Sequence, residues 1–281
     1  MEQIRSTAER ISIEDLSQRI ELDGPNDEMK ELSETFNSMI DRLEASFHKQ
    51  NQFISDASHE LKTPIAVIQG YANLMNRWGK DDPSVLQESL DSILAETEQM
   101  STLIKKLLLL AKSDQSKVHI VKKPLSLNEV SEEILKELGI LETKKNIVYN
   151  EEAEVVIFAD YALVKQLIWI YVENSLKYTK ENGTIAFRIY QDEQYGYISV
   201  TDDGIGIKEE DLPYIFDRFY RSDKSRNKEI AGTGLGLSIA KWIMDSHQGE
   251  ILVESVYGQG TTFTSKFLLY SENSDKEGEG K

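Results

Sequence analysis

The side chain with the clearest chemical potential is His59, in the segment Ser58-His59-Glu60-Leu61-Lys62-Thr63-Pro64. At about 100° per residue, the apolar side chains of this stretch fall on the helix face opposite the histidine. They are Ile54, Ala57, Leu61, Ile65, Ile68 and Ala72. A helix buried along that face holds the imidazole toward solvent, where a neutral ring nitrogen is a usable nucleophile. The pattern therefore favours a reactive histidine over a buried, hydrogen-bonded one.

Three neighbours shape the surroundings of His59. Glu60 is the nearest carboxylate in sequence, although residues i and i+1 do not share a helix face. Thr63 follows one turn later on nearly the same face, so its hydroxyl could orient a water molecule. Pro64 has no N–H to bond the carbonyl of Glu60, and we therefore expect a strained or bent helix beside the histidine.

Four segments of the C-terminal half carry residue types suited to nucleotide binding. Residues 173–178 (ENSLKY) combine oxygen ligands for Mg²⁺ with a lysine that can meet a phosphate. Residues 202–206 (DDGIG) offer a carboxylate for an adenine amino group and glycines that permit close approach. Residues 232–237 (GTGLGL) lead into a helix whose first N–H groups suit phosphate, and residues 258–263 (GQGTTF) form a turn. Taken singly, each segment is also compatible with a polar helix face or an ordinary turn.

Composition excludes several other classes of function. The 281 residues suffice for two or three modules, and the absence of cysteine excludes disulfides and thiolate metal sites. The four histidines lack close metal-ligand spacing. A formal net charge of −17 argues against direct binding of nucleic acid, which requires basic patches. The sequence contains no apolar run of about 18 residues and no visible signal peptide, so no membrane-spanning segment is expected in it.

Two predicted helical regions come first. Residues 1–48 hold two helical patterns, the first marked by Ile4, Ala8 and Ile11, on either side of a turn at residues 23–27. The second pattern has 4-3-4 apolar spacing. It consists of Leu32, Phe36, Met39 and Leu43.

Residues 49–117 are predicted to form a helical hairpin that carries His59. Its first helix is expected to end near Gly79, and the second to begin at Asp82-Pro83. The second helix has a heptad seam of alternating 4-3 spacing. The seam consists of Leu86, Leu90, Ile93, Thr97, Met100, Ile104, Leu107 and Ala111. A single hairpin would leave this long apolar seam exposed to water. The pattern therefore predicts a dimeric four-helix bundle.

From residue 118 the apolar period shortens, which predicts a two-layer α/β sandwich over residues 118–270. The predicted strands are 118–121, 147–149, 155–158, 184–190, 197–200, 250–254 and 262–269. The predicted helices are 127–144, 160–179, 209–216 and 235–247. The polar stretch 221–230 is predicted to be a lid, and the charged, glycine-rich tail 271–281 is expected to be disordered.

These motifs resemble those of one protein family. The His59 segment resembles the phosphoacceptor box of bacterial sensor histidine kinases. The four C-terminal segments resemble the N, G1, G2 and G3 boxes of the GHKL (Bergerat) ATP-binding fold, and residues 215–220 (IFDRFY) resemble its F box. Asp27-Glu28 followed by L-x-x-x-F-N-x-M at residues 32–39 resembles a HAMP signal-relay module. The resemblance covers nearly the whole chain except the tail.

The resemblance implies a role for each matching residue. His59 would be phosphorylated, Glu60 would assist as base, and Thr63 would support phosphatase activity. Asn174 would bind Mg²⁺, with Glu173 assisting near the metal. The residues implied in binding ATP are Asn174, Lys177, Tyr178, Asp202, Gly204, Gly206, Arg218, Gly232, Thr233, Gly234, Leu235, Gly236, Leu237 and Thr262.

The implied protein is a homodimeric ATP-dependent histidine kinase that passes its phosphoryl group to an aspartate of a response regulator receiver domain. HAMP modules follow transmembrane helices in this family. The expected location is therefore the cytoplasmic side of a bacterial inner membrane, with contact to the membrane through an upstream segment.

The sequence departs from the family pattern at two positions of the N box. Ser175 replaces a common alanine, which is a small change, whereas the departure at residue 170 keeps alternatives open. Ile170 stands where the N box usually carries a second asparagine, four residues before Asn174, and this predicts altered metal or nucleotide binding. A nucleotide-regulated phosphatase or scaffold for a response regulator, acting through Thr63, is the first alternative. A GHKL ATPase of the gyrase or chaperone kind is the second, but it leaves the His59 segment and the dimer seam unexplained.

Overall fold

The computed structural model describes residues 18–20, 28–79, 81–115, 117–141, 143–222 and 232–271. The predicted helix around Ile4, the turn at 23–27, most of the predicted lid and the tail beyond residue 271 lie outside these residues. The chain divides into two compact units, residues 1–100 and 101–281, which are considered separately. In the described part of the chain, no helix is both long and apolar enough to cross a membrane.

Two long helices account for most of the N-terminal half. Helix α1 spans Glu28–Trp78 and helix α2 spans Pro83–Asp114. Both boundaries confirm the expected turn after Trp78 and the expected helix start at Pro83. Helix α1 runs through Pro64 without a break, so any distortion that this proline causes does not divide the helix.

The start of α1 is tied to the segment before it through Asn37. The Asn37 side chain accepts from the Ile20 N–H at 2.9 Å and donates to the Ile20 carbonyl at 3.0 Å. Arg19 adds an ion pair with Glu44 at 2.6 Å. Ile20 and Ile40 are both buried. The Asn37 amide pairs with both backbone groups of Ile20 and so holds this short segment against the helix.

The predicted heptad seam of α2 is not buried within the chain. Leu86, Leu90 and Ile104 are exposed, whereas Leu103 and Leu110 are buried. Apolar side chains at heptad spacing that one chain leaves in water are suited to a partner helix.

The C-terminal unit is a two-layer α/β sandwich, as predicted. Its helices are α3 (Leu127–Ile140), α4 (Tyr161–Tyr178) and α5 (Gly236–Ser246). Its strands are β1 (Lys123–Ser126), β2 (Asn146–Glu151), β3 (Val156–Ala159), β4 (Thr184–Gln191), β5 (Tyr195–Asp202), β6 (Glu250–Val256) and β7 (Gly260–Leu268).

The larger sheet has the strand order β2-β4-β5-β7-β6. Strand β2 runs parallel to β4, and the other neighbours are antiparallel. Strands β1 and β3 form a separate antiparallel pair. Helix α4 packs against α3, α5 and β5, which makes it the central helix of the layer. Its first turn is capped by Asp160, whose side chain accepts from the Leu163 N–H.

Two predicted elements are wrong. Residues 118–121 are not a strand, and the strand of this region is β1, five residues later. The Val121 N–H donates to the Asp160 carboxylate at 2.9 Å, so a side chain takes the place of a ladder partner. The predicted helix 209–216 is reduced to a 3₁₀ turn at Leu212–Tyr214. Its Pro213 supplies no N–H for a continuing helix.

Candidate active site

His59 lies on α1 with its side chain exposed. Ile54 and Ile65 on the opposite face of the helix are exposed as well, so the single chain does not bury the face that the phase argument assigned to the core. Thr63, one turn after His59, is also exposed, and Glu60 is half-buried. The hydroxyl of the neighbouring Ser58 turns back to the Ile54 carbonyl at 2.7 Å. An exposed imidazole and hydroxyl one turn apart are open to an incoming phosphoryl donor or a partner protein.

A cavity of about 720 Å³ opens in the C-terminal unit beside the end of α4. Most of the predicted nucleotide-binding residues line it. They are Glu173, Asn174, Lys177, Tyr178, Asp202, Gly206, Gly232, Thr233, Gly234, Gly236 and Leu237. A volume of several hundred Å³ is the size expected for a small-molecule site.

Asp202 is the last residue of β5 and is only 6% exposed. Its Oδ1 accepts from the Gly204 N–H at 2.9 Å, and its Oδ2 accepts from the Ser175 hydroxyl at 3.0 Å. Burial raises the pKa of this carboxyl, and the hydrogen bonds from Gly204, Ser175 and the Thr261 N–H oppose that rise. The carboxylate is therefore fixed in orientation, at a buried position where it can read a ligand by hydrogen bonding.

Lys177 supplies positive charge to the same cavity. Its Nζ lies 4.9 Å from the centroid of the Tyr178 ring. Burial, followed by the positive charges of Arg221 and Lys106, lowers the pKa of Lys177 to about 8, and Glu173 opposes the shift. A group of cations in a partly dry cavity is a place for phosphate oxygens, which would relieve the repulsion among them.

The residues at the predicted metal position can supply two of the ligands of Mg²⁺. Within the described residues, the buried side-chain nitrogen of Asn174 has no hydrogen-bond partner. This nitrogen can only donate a hydrogen bond, so the amide oxygen is the atom that would bind a metal. The Glu173 carboxylate lies 3.5 Å from Lys106 Nζ. The described part of the chain has no group of three or more His, Cys, Asp or Glu that could hold a metal. One amide oxygen and one carboxylate fit Mg²⁺, which keeps its waters and takes its other ligands from phosphates.

Two glycines are required by the backbone around the cavity. Gly206 has φ 65° and Gly234 has φ 69°, a region that side chains rarely adopt. A Cβ on Gly206 would overlap the Val256 carbonyl, and one on Gly234 would lie 2.6 Å from the Phe219 carbonyl carbon. Both positions bring a loop closer to its neighbour than any other residue type permits.

Four predicted binding residues are not among the described residues that line the cavity. Gly204 instead donates its N–H to Asp202, and Leu235 is fully buried. Thr262 pairs its hydroxyl with Thr201 at 2.9 Å. Arg218 forms a two-pronged ion pair with Asp114 at the end of α2, at 2.6 and 2.9 Å. Gly204 and Leu235 therefore lie next to cavity-lining residues without lining the cavity themselves. At the start of β7, Thr261 lines the cavity and Thr262 does not.

Several lining residues were missed by sequence reasoning, and Thr261 and Lys106 are two of them. Thr261 lies on the cavity side of β7, opposite Asp202, and the two-residue period of a strand could have separated it from Thr262. Lys106 reaches the cavity from α2 and belongs to no motif, so only the tertiary structure places it there. Ile170, the departure from the N box, is buried and lines the cavity close to Gly236.

Three protein families match successive parts of the chain. Residues 1–45 match the HAMP domain, and residues 49–116 match the His Kinase A (phospho-acceptor) domain. Residues 159–271 match the histidine kinase-, DNA gyrase B-, and HSP90-like ATPase family, which implies ATP binding by the C-terminal unit.

Two curated sensor kinases are similar in sequence to this chain. The sensor histidine kinase YkoH of Bacillus subtilis is 40% identical over 249 residues, covering 88% of this chain and 54% of that protein. The signal transduction histidine-protein kinase ArlS of Staphylococcus aureus is 37% identical over 254 residues, covering 87% of this chain and 54% of that protein. The chain therefore spans about half the length of the curated relatives it matches.

Solved structures agree on the fold. Histidine kinase ThkA, in a complex with response regulator protein TrrA, superimposes with a TM-score of 0.64 at 25% identity, covering 87% of this chain and 68% of that chain. The Acinetobacter baumannii histidine kinase AdeS, at 22% identity, shares the fold with a TM-score of 0.61 over 76% of this chain and 98% of that chain. With HAMP, phospho-acceptor and ATPase matches in succession, the chain belongs to the bacterial two-component sensor histidine kinases.

Proposed function

We propose that this protein binds Mg-ATP in the cavity beside α4, phosphorylates His59, and passes the phosphoryl group to an aspartate of a response regulator. The observation that carries this proposal is the convergence of Asp202, Lys177 and Asn174 on one cavity in a chain that also presents an exposed His59. A carboxylate, a cation and an amide at one site match the adenine, the phosphates and the metal of that substrate in turn.

Each end of the nucleotide has a matching part of the cavity. The Asp202 carboxylate is the acceptor for the adenine amino group. Lys177 is the cation for the phosphates, and the glycine-rich turn before α5 offers backbone N–H groups at the helix start. Asn174, with Glu173 beside it, would hold the metal. When bound, Mg²⁺ neutralises part of the phosphate charge.

The chemistry assigned to His59 is a nucleophilic displacement at the γ-phosphorus. A ring nitrogen lone pair of His59 forms the N–P bond as the bond from phosphorus to the bridging oxygen of ADP breaks, and ADP leaves with that electron pair. Glu60 would take or hold the proton on the other ring nitrogen. The protein contributes mainly position and charge neutralisation, as in other phosphoryl transfers.

The family matches and the relatives support two partners for this chain. The phospho-acceptor match and the exposed seam of α2 support a homodimer. ThkA is described in a complex with a response regulator, which supports such a partner for this chain as well. Thr63, exposed one turn after His59, would orient water for dephosphorylation of the regulator. The HAMP match and the sensor kinase relatives support a cytoplasmic portion of a membrane receptor.

The test is incorporation of label from γ-labelled ATP with Mg²⁺, followed by the stability of that label. A phosphohistidine is acid-labile and alkali-stable, so the expected label disappears in acid and survives in base. It should also require Mg²⁺ and be lost in Asp202→Asn. Acid-stable label would overturn the assignment to histidine.

A second outcome would favour the phosphatase or scaffold alternative. Ile170 fills the place of a polar N-box residue with a buried apolar side chain, which is the one observation that supports a weakened kinase. This alternative predicts that the wild type binds ATP without incorporating label and that Ile170→Asn does incorporate label. That result would indicate that the nucleotide bound in the cavity regulates the protein and is not a phosphoryl donor.

A further inference from the structure

Ser175 lies on α4 between two cavity residues, but it does not line the cavity itself. It is fully buried, with no exposed surface, and its hydroxyl donates to Asp202 Oδ2 at 3.0 Å. That bond connects the central helix to the end of β5. Any effect of Ser175 on a ligand must therefore pass through Asp202.

The hydroxyl of Ser175 has a different kind of partner from the hydroxyls of three other helical serines. Ser58, Ser89 and Ser246 each donate to the carbonyl four residues earlier in their own helix, which is a local bond that helical serines can form. Ser175 instead donates to a carboxylate on the sheet and so connects two elements of the unit.

The hydrogen bonds to Asp202 restrict where its carboxylate can accept from a ligand. A carboxylate has about four lone-pair positions. The Gly204 N–H occupies one on Oδ1, and the Ser175 O–H occupies one on Oδ2. A ligand in the cavity must use a position that remains, and these two bonds set the orientation of the carboxylate that it meets.

The Ser175 bond also determines whether Asp202 accepts or donates a hydrogen bond at a position that remains open to a ligand. A hydroxyl bonded to an ionised carboxylate can only donate, so the contact favours the form of Asp202 that accepts hydrogen bonds. The same bond lowers the pKa of Asp202 against the rise caused by burial. An acceptor suits the 6-amino group of adenine and opposes the 6-oxo group of hypoxanthine or guanine.

We infer that Ser175 is a positioning residue that holds Asp202 as a hydrogen-bond acceptor and so increases the preference of this cavity for 6-amino over 6-oxo purine nucleotides. The inference rests on the proposed function of Asp202 in adenine recognition. It assigns part of the base preference to a side chain that does not line the cavity.

The test compares binding of ATP and inosine triphosphate, both with Mg²⁺, to the full chain and to Ser175→Ala. ATP affinity should fall roughly tenfold, the scale of one lost hydrogen bond to a charged group. Affinity for inosine triphosphate should be unchanged or higher, so the ATP preference falls by a similar factor. The KM for ATP should rise while kcat at saturating ATP is kept, because Asp202 lies away from the reacting phosphate.

Ser131→Ala is the matched control. Ser131 is also a fully buried helical serine of the same unit, and its hydroxyl has no hydrogen-bond partner within the described residues. It should leave both affinities unchanged. Ser175→Cys, which keeps a weak donor of similar size, should fall between the wild type and Ser175→Ala.

Asp202→Asn separates this inference from the proposed function. If Asp202→Asn loses ATP affinity but Ser175→Ala keeps the full preference for ATP, the inference about Ser175 is overturned and the cavity assignment stands. If Asp202→Asn binds ATP as well as the wild type, the assignment of Asp202 to adenine fails first. An equal loss for both nucleotides in Ser175→Ala would indicate only a structural role and would overturn the inference.

Discussion

At the scale of single residues, the charge of Lys177 decides how well the cavity holds phosphate. Its pKa is lowered to about 8 by burial and by the nearby positive charges of Arg221 and Lys106. The ammonium form predominates below that value, and the neutral form predominates above it. The binding of a polyanion favours the ammonium form, so ATP affinity should fall as the pH rises through 8.

The expected result is an ATP dissociation constant that increases between pH 7 and pH 9, approaching about tenfold per pH unit above pH 8. Isothermal titration with Mg-ATP over that range measures it. Lys177→Arg is the control, since its guanidinium stays charged and should flatten the profile. An equal decline in wild type and Lys177→Arg would show that another group titrates.

Several residues that line the cavity could be named from the sequence because their motifs, taken together and in order, resemble those of one protein family. Asp202, Lys177 and Asn174 all line the cavity. Hydrogen bonds that orient the lining residues from outside the cavity could not be predicted in the same way. The bond from Ser175 to Asp202 joins residues 27 positions apart, and only the packing of α4 on β5 brings them together.

At the scale of elements, His247 fixes the start of α4, the helix that carries the metal and phosphate residues. Its Nε2 accepts from the Asp160 N–H at 3.0 Å, and its Nδ1 lies 2.7 Å from the Ile243 carbonyl, which it meets as a donor. Asp160 caps α4, and Ile243 lies near the end of α5. One neutral imidazole therefore joins two helix ends.

Replacing this histidine should destabilise the C-terminal unit. His247→Ala removes partners from two buried backbone groups, and we expect a loss of about 1–3 kcal/mol in the free energy of unfolding. Urea denaturation followed by circular dichroism measures the loss. His119→Ala, at an exposed histidine, is the control and should change stability little. A stability equal to that of the wild type would contradict the bridging role.

The same contact predicts a dependence on acid. Burial is the largest cause that lowers the pKa of His247 in the folded protein, below the value near 6.5 expected when unfolded. The neutral form is the one that the fold holds, so its contribution is complete above pH 6.5. It is lost as the pH falls from 6.5 through the lowered folded value. His247→Ala should lack this part of the acid dependence when urea midpoints are compared from pH 7 to pH 5.

Element types were predictable where apolar periods were long and were wrong where a side chain or a proline intervened. The strands from 147 to 269 and the long helices were confirmed because their burial repeats every two residues or every turn. The stretch 118–121 has the composition of a strand, but the Asp160 carboxylate accepts a hydrogen bond from the Val121 N–H. Such competition between side chain and ladder depends on tertiary contacts.

At the scale of the whole molecule, the apolar seam of α2 predicts the assembly state. Leu90 is 40% exposed and Ile104 is 43% exposed in the single chain. A second copy that covers this heptad stripe would remove both from water. The seam itself was predictable from sequence, since its 4-3 spacing needs no tertiary information. The sequence did not predict which other residues of α2 are buried within the chain. Leu103 and Leu110 are two of these buried residues.

Charges placed on the seam should dissociate the dimer. Leu90→Glu combined with Ile104→Glu brings like charges toward a two-fold axis, and sedimentation equilibrium should change from dimer to monomer at micromolar concentration. Ile140→Glu is the control, because Ile140 is 80% exposed on α3 and lies outside the seam. A wild-type chain that sediments as a monomer would exclude the seam as an interface.

The most direct measurement of the central proposal is label from γ-labelled ATP on His59→Gln and on His48→Gln, each beside the wild type. Both histidines are exposed on α1, so the two variants match in residue type and helix. The account predicts that His48→Gln incorporates label at the wild-type level and that His59→Gln binds ATP but incorporates none. Label retained by His59→Gln would contradict the assignment of His59 as the phosphorylated residue.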